Sequence, residues 1–595
     1  MDFITNKKDQ LASPKVIALL IFFVCYVISL LTPPFQSPDE INHIKRAYLL
    51  GSGKIVLDTP PGNPSGGMID TGLLSFIKSY EHIPFHSEEK VSRTNLYESN
   101  GIEWSKKESF SEAAGTGYYF PLVYLPQAVA LKIGYALSLS VADSYKLTRL
   151  FSLATLCLLL FIAFSIYSPS LLTACLLLLP MTLFQMASAS LDGISTALAV
   201  FAISVFMKIS AEKENSKTIL FTSLILSIVL LTSSRTHLLP LLLLPFASYF
   251  YTKQRRYLFA GIAISLLVIT WIIIAIKFTT DGRPEAGASP GKTAVFYIEH
   301  PFILISTIFN TITDKNMILF YAESFIGILG WLDAQFERVI YIVFFALITF
   351  AMLVSVSLEK IKKELIPRSI LLICSLSAVI LMFIALLLTW KTSQATIIQG
   401  VQGRYLLVPA LLFSYALSTT PRGKKGKYIG IALGSFLVLY SVSTMSTLIL
   451  DRYYIQPEQP KPSELKFLPS DKLSLQSPII FIQDARLRER AIELKSVSIL
   501  FATHMKINQG VARLKLSGPN GKLFETKFKL ESLEDNKYKK FKLDGAPYDS
   551  AYIEFETGGG ISVWQAVDNT DTVTTCAIYE LTNGVKLYTK GCPVP

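Results

Sequence analysis

The chain has 595 residues, of which 51% are hydrophobic and only 17% charged. A soluble domain of that size would carry more charge, and its apolar runs would stop short of membrane length. The net charge of +12 invites a nucleic-acid partner. The basic residues, however, fall in short breaks between apolar runs, where they orient a membrane protein, and no nucleic acid is expected to bind.

Apolar runs of spanning length recur from Val16 to Leu450, which predicts an α-helical polytopic membrane protein. Lys7, Lys8 and Lys15 precede the first run and place the N-terminus in the cytoplasm by the excess of basic residues on the inner side. No small-residue cleavage site follows, so that run reads as a true span and not a removed leader. Basic clusters at 208–217, 253–256, 360–368 and 422–427 must then be cytoplasmic as well. Spans near 16–33, 149–167, 169–188, 193–209, 218–232, 238–252, 257–277, 338–358, 369–390, 405–420 and 428–450 satisfy that requirement, about eleven helices in all. The stretches 118–139 and 302–331 are interrupted by Pro, Lys, Asp or Asn and read as interfacial or re-entrant. Counting both as spans would give about thirteen and put two basic clusters outside.

Three regions follow: a first external loop over 32–148, a transmembrane domain over 1–450 that contains it, and an external tail over 451–595. Directly after the first span, Ser37-Pro38-Asp39-Glu40 reads as an N-cap, a Pro at the first helical position and a capping-box acid. Spacings of four and three place Asp39, His43 and Arg46 on one face of the helix that follows. Asp39 is the candidate catalytic base, with His43 and Arg46 beside the substrate. Glu40 fits capping and catalysis equally well.

If a sugar hydroxyl is to attack an anomeric carbon, a carboxylate must take its proton and cations must stabilise the leaving phosphate. The arginines expected at external ends of spans are Arg149, Arg235 with His237 close by, and Arg404 in Gln399-Gly400-Val401-Gln402-Gly403-Arg404-Tyr405. Each could instead snorkel to headgroups; the glycines around Arg404 favour a backbone shaped for close approach. Asp192 falls at the outer break between the third and fourth spans, where it could bind a hydroxyl, hold a metal or cap a helix. Further along, Glu323, Trp331 and Asp333 join small residues in one segment, and Trp331 could anchor the interface or stack on a sugar ring. Gln402 completes the candidate substrate-binding set.

In the tail, alternation over Phe524, Thr526, Phe528 and Leu530, and again over 552–555 and 561–564, predicts a small β-sandwich. Gly518-Pro519-Asn520-Gly521 reads as a hairpin turn. Four cysteines lie in apolar spans and act as small hydrophobes. Cys576 and Cys592 lie in the tail and suit a disulfide in an oxidising compartment. Neither the cysteines nor the six histidines suggest a zinc site.

The stretch Pro33 to His43, Leu179-Pro180-Met181-Thr182 through Asp192, Phe325 to Asp333, and Gln402-Gly403-Arg404-Tyr405 together resemble the bacterial membrane-protein family DUF2142. That family looks like a branch of the GT-C glycosyltransferases and is similar to serotype-converting O-antigen glucosyltransferases. The resemblance implies an inverting transferase of the inner membrane. Its donor would be a polyprenyl-phosphate sugar, and its acceptor a cell-surface polysaccharide or lipid-linked glycan. No cofactor is implied with certainty: a divalent metal is possible in such enzymes, but Asp192 lacks a clear Asp-x-Asp. Alternatives are a polymerase or ligase using polyprenyl-diphosphate glycans, and a lipid-linked glycan transporter. Transport is disfavoured because the spans are apolar through their centres.

Overall fold

The computed structural model describes residues 14–595 apart from 88, 114, 282–289, 357, 391–394, 420–422, 456–465, 474–475, 480–492, 519–520, 549, 568–572, 583, 585, 590 and 594–595. The Lys7–Lys8 pair, the centre of the Gly518–Gly521 turn and Arg422 lie outside the described residues. The chain divides into two compact units, Met1–Gln456 and Pro457–Pro595.

The first unit is a helical bundle. Each of the eleven apolar segments carries helix, but only six described helices are long and apolar enough to cross a membrane unaided: Val141–Ile166, Leu191–Asn215, Arg255–Phe278, Arg338–Ser355, Leu365–Leu388 and Tyr428–Tyr453. Lys15–Leu31, Thr218–Ser234 and Gly403–Leu417 are shorter. Two of the expected spans are broken, into Leu171–Leu177 plus Pro180–Met186 and into Thr236–Leu242 plus Leu243–Thr252. Proline explains both breaks, because Pro180 and Pro240 remove a donor and crowd the preceding turn. Neighbouring side chains bond the carbonyls at these breaks. Thr182 Oγ1 donates to Leu176 O at 2.8 Å, Ser441 Oγ to Leu178 O at 2.8 Å, and Cys374 Sγ to Pro240 O at 3.2 Å.

The stretch 118–139 begins at the end of the 3-10 turn Thr116–Tyr118 and holds a second such turn, Pro121–Tyr124, and the helix Leu125–Ala136, twelve residues and so too short to span. Helices Gly291–Glu299 and Pro301–Thr313 meet at 103° and count as one broken span or as a re-entrant loop; the first of these lies outside the 302–331 stretch. Of the six long helices Leu191–Asn215 is the most enclosed, with 78% of its apolar window buried. Asp192 lies in the first turn of this helix.

The loop after the first helix is folded. Strands Gly66–Asp70 and Glu108–Glu112 pair antiparallel, and Asp70 caps the helix Thr71–Lys78 by accepting from Gly72 N at 2.7 Å. Similar caps start the bundle helices: Ser140 accepts from Asp143 N, and Ser170 from Thr173 N.

The second unit is β-rich. One sheet runs with the strands Val573–Thr575, Ser562–Val567, Leu494–Ala502, Ala577–Leu581 and Lys586–Tyr588 in that order, with Lys537–Lys542 and Lys466–Pro469 pairing off this path. The other runs Gln476–Ile479, Ser550–Gly558, Gly510–Ser517 and Leu523–Lys529. Alternate residues of both sheets (Val497, Ile499, Phe501, Leu514, Leu516, Ile553, Phe555) share one buried core. Cys576 and Cys592 are joined in a disulfide, their Cα atoms 5.5 Å apart.

Candidate active site

The first helix ends at Leu31, and the next begins at Glu40, not at Pro38. Glu40 N donates to Ser37 O at 3.2 Å, which closes a four-residue turn with Pro38 and Asp39 at its corners. Asp39 has φ 63° and ψ 0°, the left-handed conformation that the third position of a type II turn requires. Aspartate is among the few residues with a side chain that enters this region at tolerable cost. Asp39 is thus the N-cap residue by position, yet its side chain makes no cap hydrogen bond. The expected capping box is absent. Instead the Asp39 carboxylate is turned toward Arg404, whose Nη2 donates to its Oδ2 at 2.7 Å.

Arg404 is carried by the 3-10 turn Gly403–Leu406 at the head of the helix Leu407–Leu417. Its position depends on Gly403. A Cβ at Gly403 would lie 2.2 Å from Phe325 N and 2.3 Å from Tyr321 O, so only glycine lets this loop lie against the helix Lys315–Gly327. Ser324 Oγ accepts from Gly403 N at 2.8 Å and fixes the approach. We expect Gly403→Ala to displace Arg404 and to lower thermal stability by about 1–3 kcal/mol, the usual range for overpacking. Differential scanning fluorimetry of the purified variant measures this, and an unchanged melting temperature would contradict it.

Asp192 lies in the first turn of the helix Leu191–Glu212, where the helix dipole favours a carboxylate. It forms an ion pair with Arg235, and its Oδ2 lies 3.6 Å from Arg404 Nη1. Two acids and two arginines thus form one group, with exposures that differ sharply: the Asp39 side chain is 39% exposed, Asp192 18%, Arg235 12% and Arg404 3%. Arg404 Nε and Nη1 are buried and make no hydrogen bond among the described residues. Buried guanidinium nitrogens without a hydrogen bond are rare, and a further anion could engage them. Among the described residues no group of three or more His, Cys, Asp or Glu is arranged to hold a metal ion; the two carboxylates are neutralised by arginines.

An aromatic wall closes one side. The Arg235 guanidinium lies 5.1 Å over the Tyr119 ring, and the Tyr119 ring stacks beside His43. His43 Nδ1 is 2.7 Å from the Tyr124 hydroxyl, which burial pushes well above its ordinary pKa and keeps protonated. Tyr119 and Tyr124 were not among the expected site residues. Their place in an interrupted apolar stretch disguised them as interface anchors. His237 follows Arg235 by two residues and is half-buried in the 3-10 segment Thr236–Leu242.

Several expected site residues prove to be supports. Glu40 is fully buried and paired with Arg149, which donates to its Oε1 and Oε2 at 3.1 and 3.0 Å. Arg149 also donates to the carbonyls of Ser29, Thr32 and Pro33, so all three guanidinium nitrogens are occupied. The expectation that Arg149 binds donor phosphate, and that Glu40 is catalytic, is therefore corrected. Glu40 Oε1 further accepts from Ala189 N at 2.8 Å, and Gln127 Nε2 donates to Ala189 O at 3.4 Å. These bonds clamp the loop that leads into Asp192. Arg46 is corrected too: its long side chain curls onto the carbonyls of Lys54 and Ile55 at 3.0 and 2.6 Å, fully buried. Burial lowers its pKa to about 10, leaving it cationic at neutral pH.

Asp333 is likewise a brace. It accepts from Arg452 Nη2 at 2.6 Å and from the backbone of Phe85 and Trp331. The Trp331 indole donates to Phe35 O at 2.9 Å, which secures the loop before Asp39. Glu323 is half-buried one residue before Ser324, and Gln402 is half-buried beside Gly403.

Such an arrangement defines a multi-helix membrane protein with a charged, partly open cluster where several helices begin. The chain belongs to the DUF2142 family, described as predicted membrane proteins; the match covers residues 22–413 and so includes Asp39, Asp192, Arg235 and Arg404. No curated protein matches it. Among solved structures, arabinosyltransferase EmbB from Mycobacterium smegmatis is similar at a TM-score of 0.25 and 11% sequence identity, over 88% of this chain and 64% of that one. The chain thus spans less than two thirds of that protein, and the superposition is too loose to define a shared fold.

Proposed function

We propose that this chain is an inverting glycosyltransferase of the GT-C kind. It moves a hexose from a polyprenyl-phosphate donor to a cell-surface polysaccharide such as lipid-linked O-antigen. The observation that carries the reading is the pairing of an accessible carboxylate, Asp39, with a buried arginine whose Nε and Nη1 make no hydrogen bond among the described residues, Nη1 meeting only the Asp192 carboxylate at 3.6 Å. In the reaction the acceptor oxygen bonds to the anomeric carbon while the bond from that carbon to the phosphate oxygen breaks. The electron pair goes to the phosphate beside Arg404 and Arg235, and the acceptor proton goes to Asp39. Tyr119 and His43 offer ring faces to the sugar.

The side of the membrane follows from charge. Lys208 and Lys213 lie near the far end of the helix that carries Asp192 in its first turn. Arg368 bonds the carbonyls of Tyr415 and Ser418, at the far end of the helix that begins after Arg404. Basic residues gather on the cytoplasmic side, so the cluster faces the periplasm of a bacterial inner membrane.

The direct test incubates purified full-length protein with a labelled polyprenyl-phosphate hexose and a lipid-linked glycan, and follows label into the glycan. Transfer from the monophosphate donor supports the reading. Consumption of a polyprenyl-diphosphate glycan with no monophosphate transfer would replace it with a polymerase or ligase.

A further inference from the structure

The two acids of the cluster are not equivalent, and the difference bears on how the base is made available. Two carboxylates and two guanidiniums sum to zero charge, and they already neutralise one another. A phosphodiester brings one more negative charge into a site where Arg404 is almost wholly buried. Like charges that close repel strongly in a poorly solvated site, so one anion must give way.

Asp192 is the less free of the two. It stands on the most enclosed of the long helices, it contacts both arginines, and the loop before it is clamped by Glu40 and Gln127. Asp39 sits on a tight turn, is the more solvated, and accepts from Arg404 Nη2 at 2.7 Å. We propose, resting on the transferase reading above, that Asp192 is a positioning residue, the permanent counter-ion of Arg404 and Arg235. Asp39 is the exchangeable one, displaced from Arg404 by the donor phosphate and only then competent as a base. An ion-paired carboxylate is a poor proton acceptor, because the cation favours its charged form. Donor binding therefore precedes acceptor activation, and the resting enzyme holds its base masked.

Carboxylate labelling tests this without needing turnover. The full-length protein in lipid nanodiscs is treated with a carbodiimide and an amine, and tagging of Asp39 and Asp192 is quantified by peptide mass spectrometry. The probe is dihexyl phosphate, a singly charged phosphodiester, and trihexyl phosphate is its neutral control. Asp39 tagging should rise severalfold with the diester and not with the triester, while Asp192 tagging stays constant. In Arg404→Gln, Asp39 should be tagged rapidly without any probe and should ignore the diester. Unchanged or reduced Asp39 tagging in the native protein, or a parallel rise at Asp192, would overturn the proposal. With sugar transfer as readout, Asp192→Asn should raise the donor KM more than it lowers kcat, and Asp192→Glu should restore most of the loss; a pure kcat defect would overturn the positioning role. Tagging that responds as expected with no transfer from any donor would leave the exchange standing and sink the transferase reading. Transfer without any change in tagging would do the reverse.

Discussion

Replacing Asp39 with asparagine is expected to reduce kcat for sugar transfer by about 10²–10⁴-fold, the usual contribution of a general base. Asparagine is nearly the same shape and, like aspartate, tolerates the left-handed φ of 63° found here, so the Ser37–Glu40 turn survives. The fold should therefore persist, with a melting temperature close to that of the native protein. Donor affinity should not fall, because the carboxylate that competes with phosphate for Arg404 has lost its charge. Steady-state kinetics on both proteins separates these effects: kcat collapses while the donor KM holds or drops. Alanine is a poorer choice, since it would add backbone strain to the chemical change. An Asp39→Asn enzyme with native kcat would remove the residue from the mechanism.

The second large effect concerns stability. Glu40→Gln leaves the buried Arg149 guanidinium without its counter-ion and is expected to destabilise the bundle by about 3–5 kcal/mol, as breaking a buried ion pair does. The same change weakens the bond to Ala189 N and loosens the loop before Asp192. The double variant Glu40→Gln with Arg149→Met removes the orphaned charge and should recover part of the loss. Thermal unfolding in detergent, followed by intrinsic fluorescence, reads both. Equal melting temperatures for Glu40→Gln and the native protein would show that the pair contributes nothing.

The apolar segments were legible because burial in lipid demands long uninterrupted runs, and nothing else in a sequence looks like that. The breaks at Pro180 and Pro240 were not, since a run of apolar residues stays apolar on both sides of a proline. Ser37-Pro38-Asp39-Glu40 misled for a specific reason. The residues that start helices are also the residues that make type II turns, and the sequence does not say which hydrogen bond closes first. Helical spacing placed Arg46 with Asp39 and His43, but a guanidinium on a three-carbon stem reaches carbonyls off its own face. The pairing of Glu40 with Arg149 spans 109 positions and has no local signature. Arg404 was easier to notice, because two glycines, Gly400 and Gly403, just ahead of a charged residue mark a backbone brought close to something.

One end of the chain's membrane unit bears on how the protein can be cut. Arg452 grips Asp333, Lys90 donates to the carbonyls of Asp451 and Arg452, and Val91 N donates to Tyr453 O. Through Asp333 and the Trp331 indole this clasp reaches Phe35, four residues before Asp39. A truncation ahead of residue 451 would thus unfasten the Ser37–Glu40 turn from a distance, and a shortened fragment has to retain Tyr453.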